Sequence, residues 1–225
     1  MKNIIITGTS RGIGYELALL FANAGHQVLA ISRKTVQTLQ NHTNITCLAV
    51  DLSQELELNK VSQYLASSWQ HVDAVIHNAG ALLLKPFAQT TQDDFESIYK
   101  VNVYAVANLT RVCLPYLRKG SHVVTISSMG GIQGSLKFAG LAAYSSSKGA
   151  VITLTELLAE EFKEQGIAFN VLALGSVQTE MLEEAFPGYQ APLNADEMAQ
   201  YIFDFALSGN KYFNGKVLQV SSTNP

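Results

Sequence analysis

A tyrosine and a lysine four residues apart, Tyr144 and Lys148, are the side chains in this sequence best suited to acid–base chemistry. They stand near the start of the run AAYSSSKGAVITLTELLAEEF, which has a helical pattern, and residues i and i+4 of a helix lie on one face. A free phenol has a pKa of about 10, and a neighbouring ammonium group lowers that pKa because it favours the phenolate. The pair is therefore predicted to exchange a proton with an oxygen atom of a bound molecule.

The same spacing occurs a second time, at Tyr212 and Lys216. Between these two residues lie Asn214 and Gly215, a dipeptide that is typical of turns. Outside a helix, side chains at this spacing do not share a face, so the second pair is predicted to have no catalytic role.

Two further polar positions could complete a site around the tyrosine. Ser128 follows the strand-like run HVVTIS, which predicts a place at the carboxyl edge of a sheet, where open α/β folds bind their ligands. Ser127 is the neighbouring alternative, and a serine at a strand end can also simply cap a turn. Asn102 lies within the helical run YKVNVYAVANL, although asparagine is a mediocre helix former. It is therefore either a functional side chain or a buried, hydrogen-bonded amide.

A glycine-rich turn follows the first predicted strand. The run TGTSRGIG at residues 7–14 contains Gly8, Gly12 and Gly14 and precedes the helical run YELALLFANAG. Glycines at such a turn let the backbone approach a pyrophosphate, and the helix N-terminus supplies free N–H groups. The lysine and hydroxyl residue of a phosphate-binding P-loop are absent. The turn therefore predicts dinucleotide binding and not triphosphate hydrolysis.

The end of the second predicted strand, at Ser32 and Arg33, indicates which dinucleotide is bound. An NAD site usually has an acidic residue about twenty positions after the glycines, which binds the ribose 2′-hydroxyl. Here Arg33 occupies that place, and a guanidinium can pair with a 2′-phosphate through two hydrogen bonds. Arg11, in the glycine turn, could approach the same phosphate. NADP(H) is therefore the predicted cofactor, and the alternative is that Arg33 and Lys34 are solvated surface charges.

Strand-like and helical patterns alternate along the chain and must position these groups. Gly25, Gly120 and Gly166 are predicted to be left-handed residues between a helix and the next strand, and Thr91 with Asp94 predicts a capping box. The alternation, with short turns, predicts one α/β domain built on a doubly wound parallel sheet that is covered on both faces. The predicted strands are Asn3–Thr7, Gln27–Ile31, Ile45–Val50, Ala74–His77, His122–Ser127, Ala168–Ala173 and Lys216–Val220.

These motifs together resemble the short-chain dehydrogenase/reductase family over nearly the whole chain. The pattern G-x-x-x-G-x-G after a threonine and the pattern Y-x-x-x-K carry the resemblance. It implies a single Rossmann-like domain over residues 1–225, with about seven strands, and an NADP(H)-dependent oxidoreductase that interconverts a carbonyl and a secondary alcohol. By resemblance, Tyr144 is the acid/base and Lys148 lowers its pKa and binds the nicotinamide ribose. Ser128 then positions the substrate oxygen, and Asn102 holds a water molecule that links Lys148 to solvent.

The resemblance also implies a set of cofactor-binding residues. The run HNAG at residues 77–80 resembles an Asn-Asn-Ala-Gly segment, with His77 in place of the first asparagine. The run LGSVQT at residues 174–179 resembles a Pro-Gly segment beside the nicotinamide, with Leu174 where proline is common. By resemblance Asp51 lies near the adenine; it could equally be the N-cap of a helix at Leu52–Gln54, and one carboxylate can do both. The predicted cofactor-binding residues are Gly8, Ser10, Arg11, Gly12, Ile13, Gly14, Ser32, Arg33, Asp51, Leu52, Asn78, Ala79, Gly80, Tyr144, Lys148, Gly175, Val177 and Thr179.

The composition limits the other classes of function. The net charge of −3 gives no reason to expect a nucleic-acid partner, and two cysteines are too few for a disulfide framework or a four-cysteine zinc site. No run is apolar for long enough to predict a membrane span or a signal peptide. The sequence therefore predicts a cytoplasmic protein that acts on a small-molecule carbonyl or alcohol and binds no metal, nucleic acid or membrane.

Two segments are predicted to shape the substrate site and the assembly. Residues 180–195 form a short capping segment, open or completed by a neighbouring subunit, whose apolar residues either touch the substrate or pack on the domain. Small residues at the start of the Tyr144 helix would let a second helix approach closely, and the resemblance likewise implies a homodimer or tetramer. The rival hypothesis is a non-catalytic NADP(H)-binding protein that senses redox state, although such a protein does not need the Tyr144–Lys148 pair. The apolar residues are Met181, Leu182, Phe186 and Tyr189, and the small ones are Ala142, Ala143, Ser146, Ser147, Gly149 and Ala150.

Overall fold

A parallel β-sheet forms the centre of the molecule, of which the computed structural model describes residues 1–222. Its strands are β1 (Asn3–Thr7), β2 (Gln27–Ser32), β3 (Ile45–Ala49), β4 (Val72–His77), β5 (Leu117–Ser128), β6 (Ala168–Leu174) and β9 (Val217–Val220), and the short strands β7 (Val177–Gln178) and β8 (Leu193–Asn194) form a separate ladder. Within residues 1–222 the seven strands follow the order β3-β2-β1-β4-β5-β6-β9, and all neighbours are parallel. The strand order reverses beside β1, so the carboxyl ends of β1 and β4 flank the crevice in which such folds bind ligands.

Helices cover both faces of this sheet, which confirms the predicted doubly wound arrangement. They are α1 (Gly12–Asn23), α2 (Gln37–Gln40), α3 (Asn59–Ser68), α4 (Gln92–Tyr99), α5 (Ala105–Cys113), α6 (Ala142–Glu161), α7 (Glu180–Ala185) and α8 (Ala195–Ser208). Helices α1 and α8 enclose one apolar core, and α3 and α5 enclose the other. In β1, Ile4 and Ile6 point into the first core while Ile5 points into the second. Strands buried on both faces therefore read as uninterrupted apolar runs.

The predicted strand boundaries agree with the structure to one residue, except at the starts of β4 and β5. Strand β5 begins at Leu117 because this residue pairs with Val72 before the register between the two strands shifts. Gly120 has the predicted left-handed conformation, with φ of 89°, but it lies inside β5, so its predicted place before the strand was wrong. Gly25 and Gly166, with φ of 81° and 70°, lie between a helix and the next strand as predicted.

Helix α4 leads into α5 through a π-helical turn, Lys100–Tyr104, at whose centre stands Asn102. The sequence predicts a continuous helix there, and the structure shows a widened turn of the kind that often marks functional sites. At the other end of α4, Thr91 and Asp94 form the predicted capping box. No helix in the described range of 1–222 is long and apolar enough to cross a bilayer.

Candidate active site

The glycine turn presents free backbone N–H groups at the start of α1. Arg11 occupies the N-cap position without a capping side-chain hydrogen bond, and the first turn of α1 contains no acidic residue. A Cβ atom at Gly14 would overlap the carbonyl of Gly8, so only glycine allows the loop to lie this close to the helix. Uncapped N–H groups and the positive end of the helix dipole fit a pyrophosphate at this position.

Hydrogen bonds between β1 and β4 hold the glycine turn in place. The Thr7 hydroxyl accepts hydrogen bonds from the backbone N–H groups of Asn78 (3.0 Å) and Ala79 (2.9 Å). In return, Nδ2 of Asn78 donates to the Thr7 carbonyl at 3.0 Å. Asn78, which follows β4, thus connects the carboxyl ends of β1 and β4 on the two sides of the crevice. Its neighbour His77 turns into the protein and contacts the Thr110 hydroxyl at 2.9 Å, so the unusual histidine lies outside the cofactor crevice.

Helix α6 brings the predicted proton-transfer residues together at the carboxyl edge of β5. Nζ of Lys148 lies 5.8 Å from the centre of the Tyr144 ring and donates a hydrogen bond of 2.9 Å to the Ile126 carbonyl. The Ser128 side chain interacts with the Tyr144 hydroxyl. Ser128 also accepts a hydrogen bond from the Gly130 N–H at 3.2 Å, so it caps the turn after β5 as well. The two proposed roles of this serine are compatible.

Burial shifts the pKa values of both groups in α6. It raises the pKa of Tyr144, an effect that the hydrogen bond with Ser128 partly offsets. The net shift is opposite to the lowering by Lys148 that the sequence predicts, because the removal of the phenol from water dominates. Burial lowers the pKa of Lys148 to about 8, because the ammonium is removed from water. At neutral pH the phenol therefore holds a proton that it can donate. Ser127, the alternative to Ser128, instead donates to the Lys148 carbonyl at 2.9 Å and braces α6 from within the sheet.

Asn102 is a satisfied, buried amide that stands close to the lysine. Its Oδ1 accepts from the Ala81 N–H at 2.8 Å, and its Nδ2 donates to the Ala81 carbonyl and to the Ser147 hydroxyl, both at 2.9 Å. A Cβ atom at Gly80 would lie 3.6 Å from Oδ1 of Asn102 and 3.5 Å from Nζ of Lys148. The π-helical turn therefore places this amide beside the lysine head group. Neither the wide turn nor the partner Ser147 has a signal in the sequence.

The two arginines of the predicted 2′-phosphate site differ in their present partners. The Arg11 guanidinium pairs with both carboxylate oxygens of Glu184 in α7, through a bond of 2.9 Å and a second, shorter one. Arg33 is exposed and forms no ion pair with any residue in 1–222. Next to it, the Ser32 hydroxyl donates to the Lys34 carbonyl at 2.6 Å and shapes the turn after β2. The Glu184 contact has no sequence signal, because the two residues are far apart in the chain.

A cavity of about 800 Å³ lies between the glycine turn and the predicted capping segment. Thr179 caps α7 by accepting from the Leu182 N–H at 3.3 Å, and a Cβ atom at Gly12 would touch its methyl group at 3.4 Å. Of the predicted segment of Gly175, Val177 and Thr179, Thr179 thus lies against the glycine turn, while a Cβ atom at Gly175 would meet the Ser221 side chain. The cavity is lined by Ser10, Arg11, Gly12, Tyr15, Glu16, Gln178, Thr179, Glu180, Glu183, Glu184 and Ala195.

Other predicted positions serve local structure. Oδ1 of Asp51 accepts from the N–H (3.0 Å) and hydroxyl (2.7 Å) of Ser53, so this carboxylate caps a turn after β3. The helix predicted at Leu52–Gln54 is not formed, because these residues make that turn and the next helical element begins at Glu55. Leu52 is buried. The second Tyr-x-x-x-Lys pair, Tyr212 and Lys216, lies between a 3₁₀ turn and β9, and so outside a helix as predicted.

The small residues of α6 only partly behave as predicted. Ala143 and Ser147 are buried within their own chain, so they cannot contact a helix of a second copy. A Cβ atom at Gly149 would lie 3.3 Å from the Gly131 carbonyl, which indicates that the close approach at this glycine is to the loop after β5. Ser146 remains exposed. The prediction was wrong for these buried positions because sequence alone does not show which face of α6 the loop covers.

Comparison with known proteins agrees with this architecture. A family model described as short chain dehydrogenase matches residues 2–190. The uncharacterized oxidoreductase YhxC of Bacillus subtilis is 26% identical, in an alignment that covers 98% of this chain and 83% of that protein. A short chain dehydrogenase from Burkholderia cenocepacia in complex with NADP has a TM-score of 0.88 at 24% identity, covering 99% of this chain and 97% of the other. A 4-hydroxyisoleucine dehydrogenase complexed with NADH has a TM-score of 0.82 at 24% identity, covering 98% and 96%.

Proposed function

This chain belongs to the short-chain dehydrogenase family of oxidoreductases, and from that premise we propose that it transfers a hydride between NADP(H) and a small-molecule carbonyl or secondary alcohol. The observation that carries the proposal is the grouping of Tyr144, Ser128 and Lys148 at the edge of the ligand crevice. The bound nicotinamide would accept or supply the hydride. The residues of the chain would bind the two molecules, orient the substrate oxygen and move the proton.

In the proposed reduction, Tyr144 donates its proton to the carbonyl oxygen. Burial raises the pKa of Tyr144, so the phenol holds a proton at neutral pH and is available as the donor. The Ser128 hydroxyl orients the same oxygen, and the neighbouring ammonium of Lys148 stabilises the phenolate that remains. In the reverse direction the phenolate would take the proton of the alcohol.

For the cofactor, the uncapped start of α1 supports pyrophosphate binding, and Arg33 supports a preference for NADP(H). Solved neighbours contain NADP in one case and NADH in another, so a nicotinamide cofactor fits this fold in either form. Binding of the 2′-phosphate by Arg11 as well requires that this residue leave Glu184. We propose that the remaining predicted cofactor residues, from Ser10 to Thr179, also contact the cofactor. We further propose that residues 180–195 cover the substrate site and that the protein is cytoplasmic.

The first prediction is that Tyr144→Phe abolishes turnover and leaves the Kd for NADPH within about twofold of that of the native protein. Loss of the proton donor is expected to lower kcat at least about a hundredfold. The measurement is NADPH oxidation against a panel of aldehydes and ketones, with NADPH binding followed by fluorescence.

The matched control is Tyr212→Phe, which removes the hydroxyl from the second Tyr-x-x-x-Lys pair. Tyr212 is 77% exposed and lies outside a helix, so its variant should keep full activity. Retained turnover in Tyr144→Phe would refute the assignment. NADPH binding without turnover of any carbonyl by the native protein would favour the redox-sensing alternative.

A further inference from the structure

A buried serine, Ser147, connects the predicted proton-transfer residues to the π-helical turn. Its side chain is fully buried, between Tyr144 and Lys148 in the sequence of α6. The Ser147 hydroxyl donates to the Tyr144 carbonyl at 2.6 Å and accepts from Nδ2 of Asn102 at 2.9 Å. A serine hydroxyl has one hydrogen, and the Tyr144 carbonyl takes it, so a lone pair must face the asparagine.

The chain of hydrogen bonds continues beyond α6. The other N–H of the Asn102 amide goes to the Ala81 carbonyl, and Oδ1 accepts from the Ala81 N–H. The path from Ala81 through Asn102 to Ser147 therefore joins the segment after β4, the π-helical turn and the helix that carries the phenol. Asn102 and Ser147 are both buried, so the loss of one bond would leave a polar group unsatisfied away from water.

Two serines connect the part of α6 that contains Tyr144 and Lys148 to two different elements. Ser127 reaches from β5 to the Lys148 carbonyl, and Ser147 reaches from α6 to the π-helical turn. The Ser127 bond secures α6 to the sheet. The bond between Ser147 and Asn102 fixes the distance from Asn102 to the part of α6 that contains Tyr144 and Lys148.

We propose that Ser147 is a positioning residue, which sets the Tyr144 phenol and the Lys148 ammonium for proton transfer by holding α6 to Asn102. This inference rests on the proposed function for its catalytic part. Without the hydroxyl, Nδ2 of Asn102 loses its bond to α6 and the helix start can move relative to the amide. A displacement of about 1 Å in a catalytic group can lower a rate by up to a hundredfold.

The test compares Ser147→Ala with Ser146→Ala. Ser146 is a matched control because its hydroxyl makes the same local bond, to the Ala143 carbonyl at 3.2 Å, on the exposed face of α6 and without a contact to Asn102. For Ser147→Ala we expect kcat to fall about ten- to a hundredfold with a nearly unchanged KM for NADPH. The pH dependence of kcat should also move, while Ser146→Ala should match the native enzyme in both readouts.

A readout without turnover separates this inference from the proposed function. Lys148 can be labelled with acetic anhydride at a series of pH values, and its extent of reaction gives its pKa in the unliganded protein. Burial lowers that pKa to about 8, so a loosened α6 in Ser147→Ala should shift the labelling curve upward, towards the value of an exposed lysine. A native protein that reduces no carbonyl would count against the proposed function alone.

Unchanged kcat, pH profile and Lys148 labelling in a folded Ser147→Ala protein would overturn the inference, even with a lower melting temperature. If Ser147→Ala does not fold, Ser147→Cys provides the second measurement, because its thiol has a similar size but is a weak hydrogen-bond acceptor. A lower kcat with a moved pH profile and labelling curve in the folded cysteine variant would support the positioning role, and native values in all three would contradict it.

Discussion

Several ionisable side chains lie inside this protein, and each must be neutral or hydrogen-bonded to remain there. Burial lowers the pKa of His77 and that of His122 to about 4, and it lowers the pKa of Lys148 to about 8. The two hydrogen-bond partners of the His122 ring fit its neutral form. Its Nδ1 faces the Ala206 carbonyl at 3.1 Å, which can only accept, so Nδ1 carries the proton and Nε2 accepts from Nδ2 of Asn170 at 3.0 Å. A second proton, on Nε2, would face the N–H group of Asn170, which is itself a donor, so this contact disfavours the charged ring.

At the residue scale we therefore predict that acid destabilises the protein through His77 and His122. Their pKa values in the folded state are below the ordinary value, so the unfolded chain binds more protons between about pH 4 and pH 6.5. Their contribution to stability is complete above about pH 6.5 and is lost as the pH falls towards 4, by up to about 3 kcal/mol for each ring.

This prediction is checked by urea unfolding at pH values from 8 to about 4, together with NMR of the histidine rings. Single substitutions would assign the two signals, and at pH 5.5 both rings should still be neutral. Ring signals that titrate with an ordinary histidine pKa, or a free energy of unfolding that stays constant over this interval, would contradict it.

At the scale of elements, the predicted capping segment is held against the glycine turn that is proposed to bind the cofactor. Thr179 starts α7 beside Gly12, and Glu184 in the same short helix pairs with Arg11. Both side chains of the pair are about half exposed, so the ion pair contributes little to stability. Its consequence concerns binding, since a 2′-phosphate would have to compete with the Glu184 carboxylate for Arg11.

We predict that Glu184→Gln binds NADPH more tightly, because Arg11 loses its competing partner. An exposed ion pair of this kind is weak, so we expect the Kd for NADPH to fall by no more than about fivefold. Affinity for NADH, which lacks the 2′-phosphate, should change much less. The measurement is a paired titration of both cofactors by fluorescence and thermal shift.

Glu183→Gln is the matched control for this experiment. It removes the same charge from the same helix, and Glu183 contacts the Gly188 N–H and not Arg11. If both variants changed the affinity for NADPH equally, the effect would come from the net charge near the site and not from the pairing of Glu184 with Arg11. An unchanged or weaker affinity for NADPH in Glu184→Gln would place Arg11 outside the cofactor site, and a native preference for NADH would overturn the 2′-phosphate assignment altogether.

At the scale of the whole molecule, one sheet separates two apolar cores, and α6 covers the edge of the second while exposing part of its own surface. Leu157 on this helix is 63% exposed, and Thr153, one turn before it, is exposed as well. An apolar side chain on the surface of the helix that carries Tyr144 supports the proposed self-association. The contact would use this exposed side of α6, because Ala143 and Ser147 face inward.

We predict that the native protein forms dimers or tetramers of its 24.4 kDa chain and that Leu157→Glu dissociates them. A charge at a buried apolar contact would be desolvated without a partner. Light scattering at micromolar concentration measures the mass, and Leu56→Glu is the matched control because Leu56 is 83% exposed and lies outside α6. A native particle with the mass of one chain would contradict the prediction.

The sequence by itself determined much of this protein, wherever the deciding interaction is local. Consecutive apolar runs predict strands buried on both faces, and the capping box at Thr91 and Asp94 follows from residues three positions apart. The spacing of Tyr144 and Lys148 predicts their shared face, because one helical turn sets it. The turn residues between Tyr212 and Lys216 likewise exclude the second pair from a helix.

Only the tertiary structure decided the contacts between residues far apart in the chain. The pairing of Arg11 with Glu184, and the bond from Asn102 to Ser147, join elements whose distance in space is set by packing. The π-helical turn around Asn102 and the early start of β5 at Leu117 depend on neighbouring elements and not on local propensity. Burial, which shifts the pKa values of Tyr144 and Lys148, exists only once the sheet and helices have come together, because it is the removal of these groups from water that changes their proton affinity.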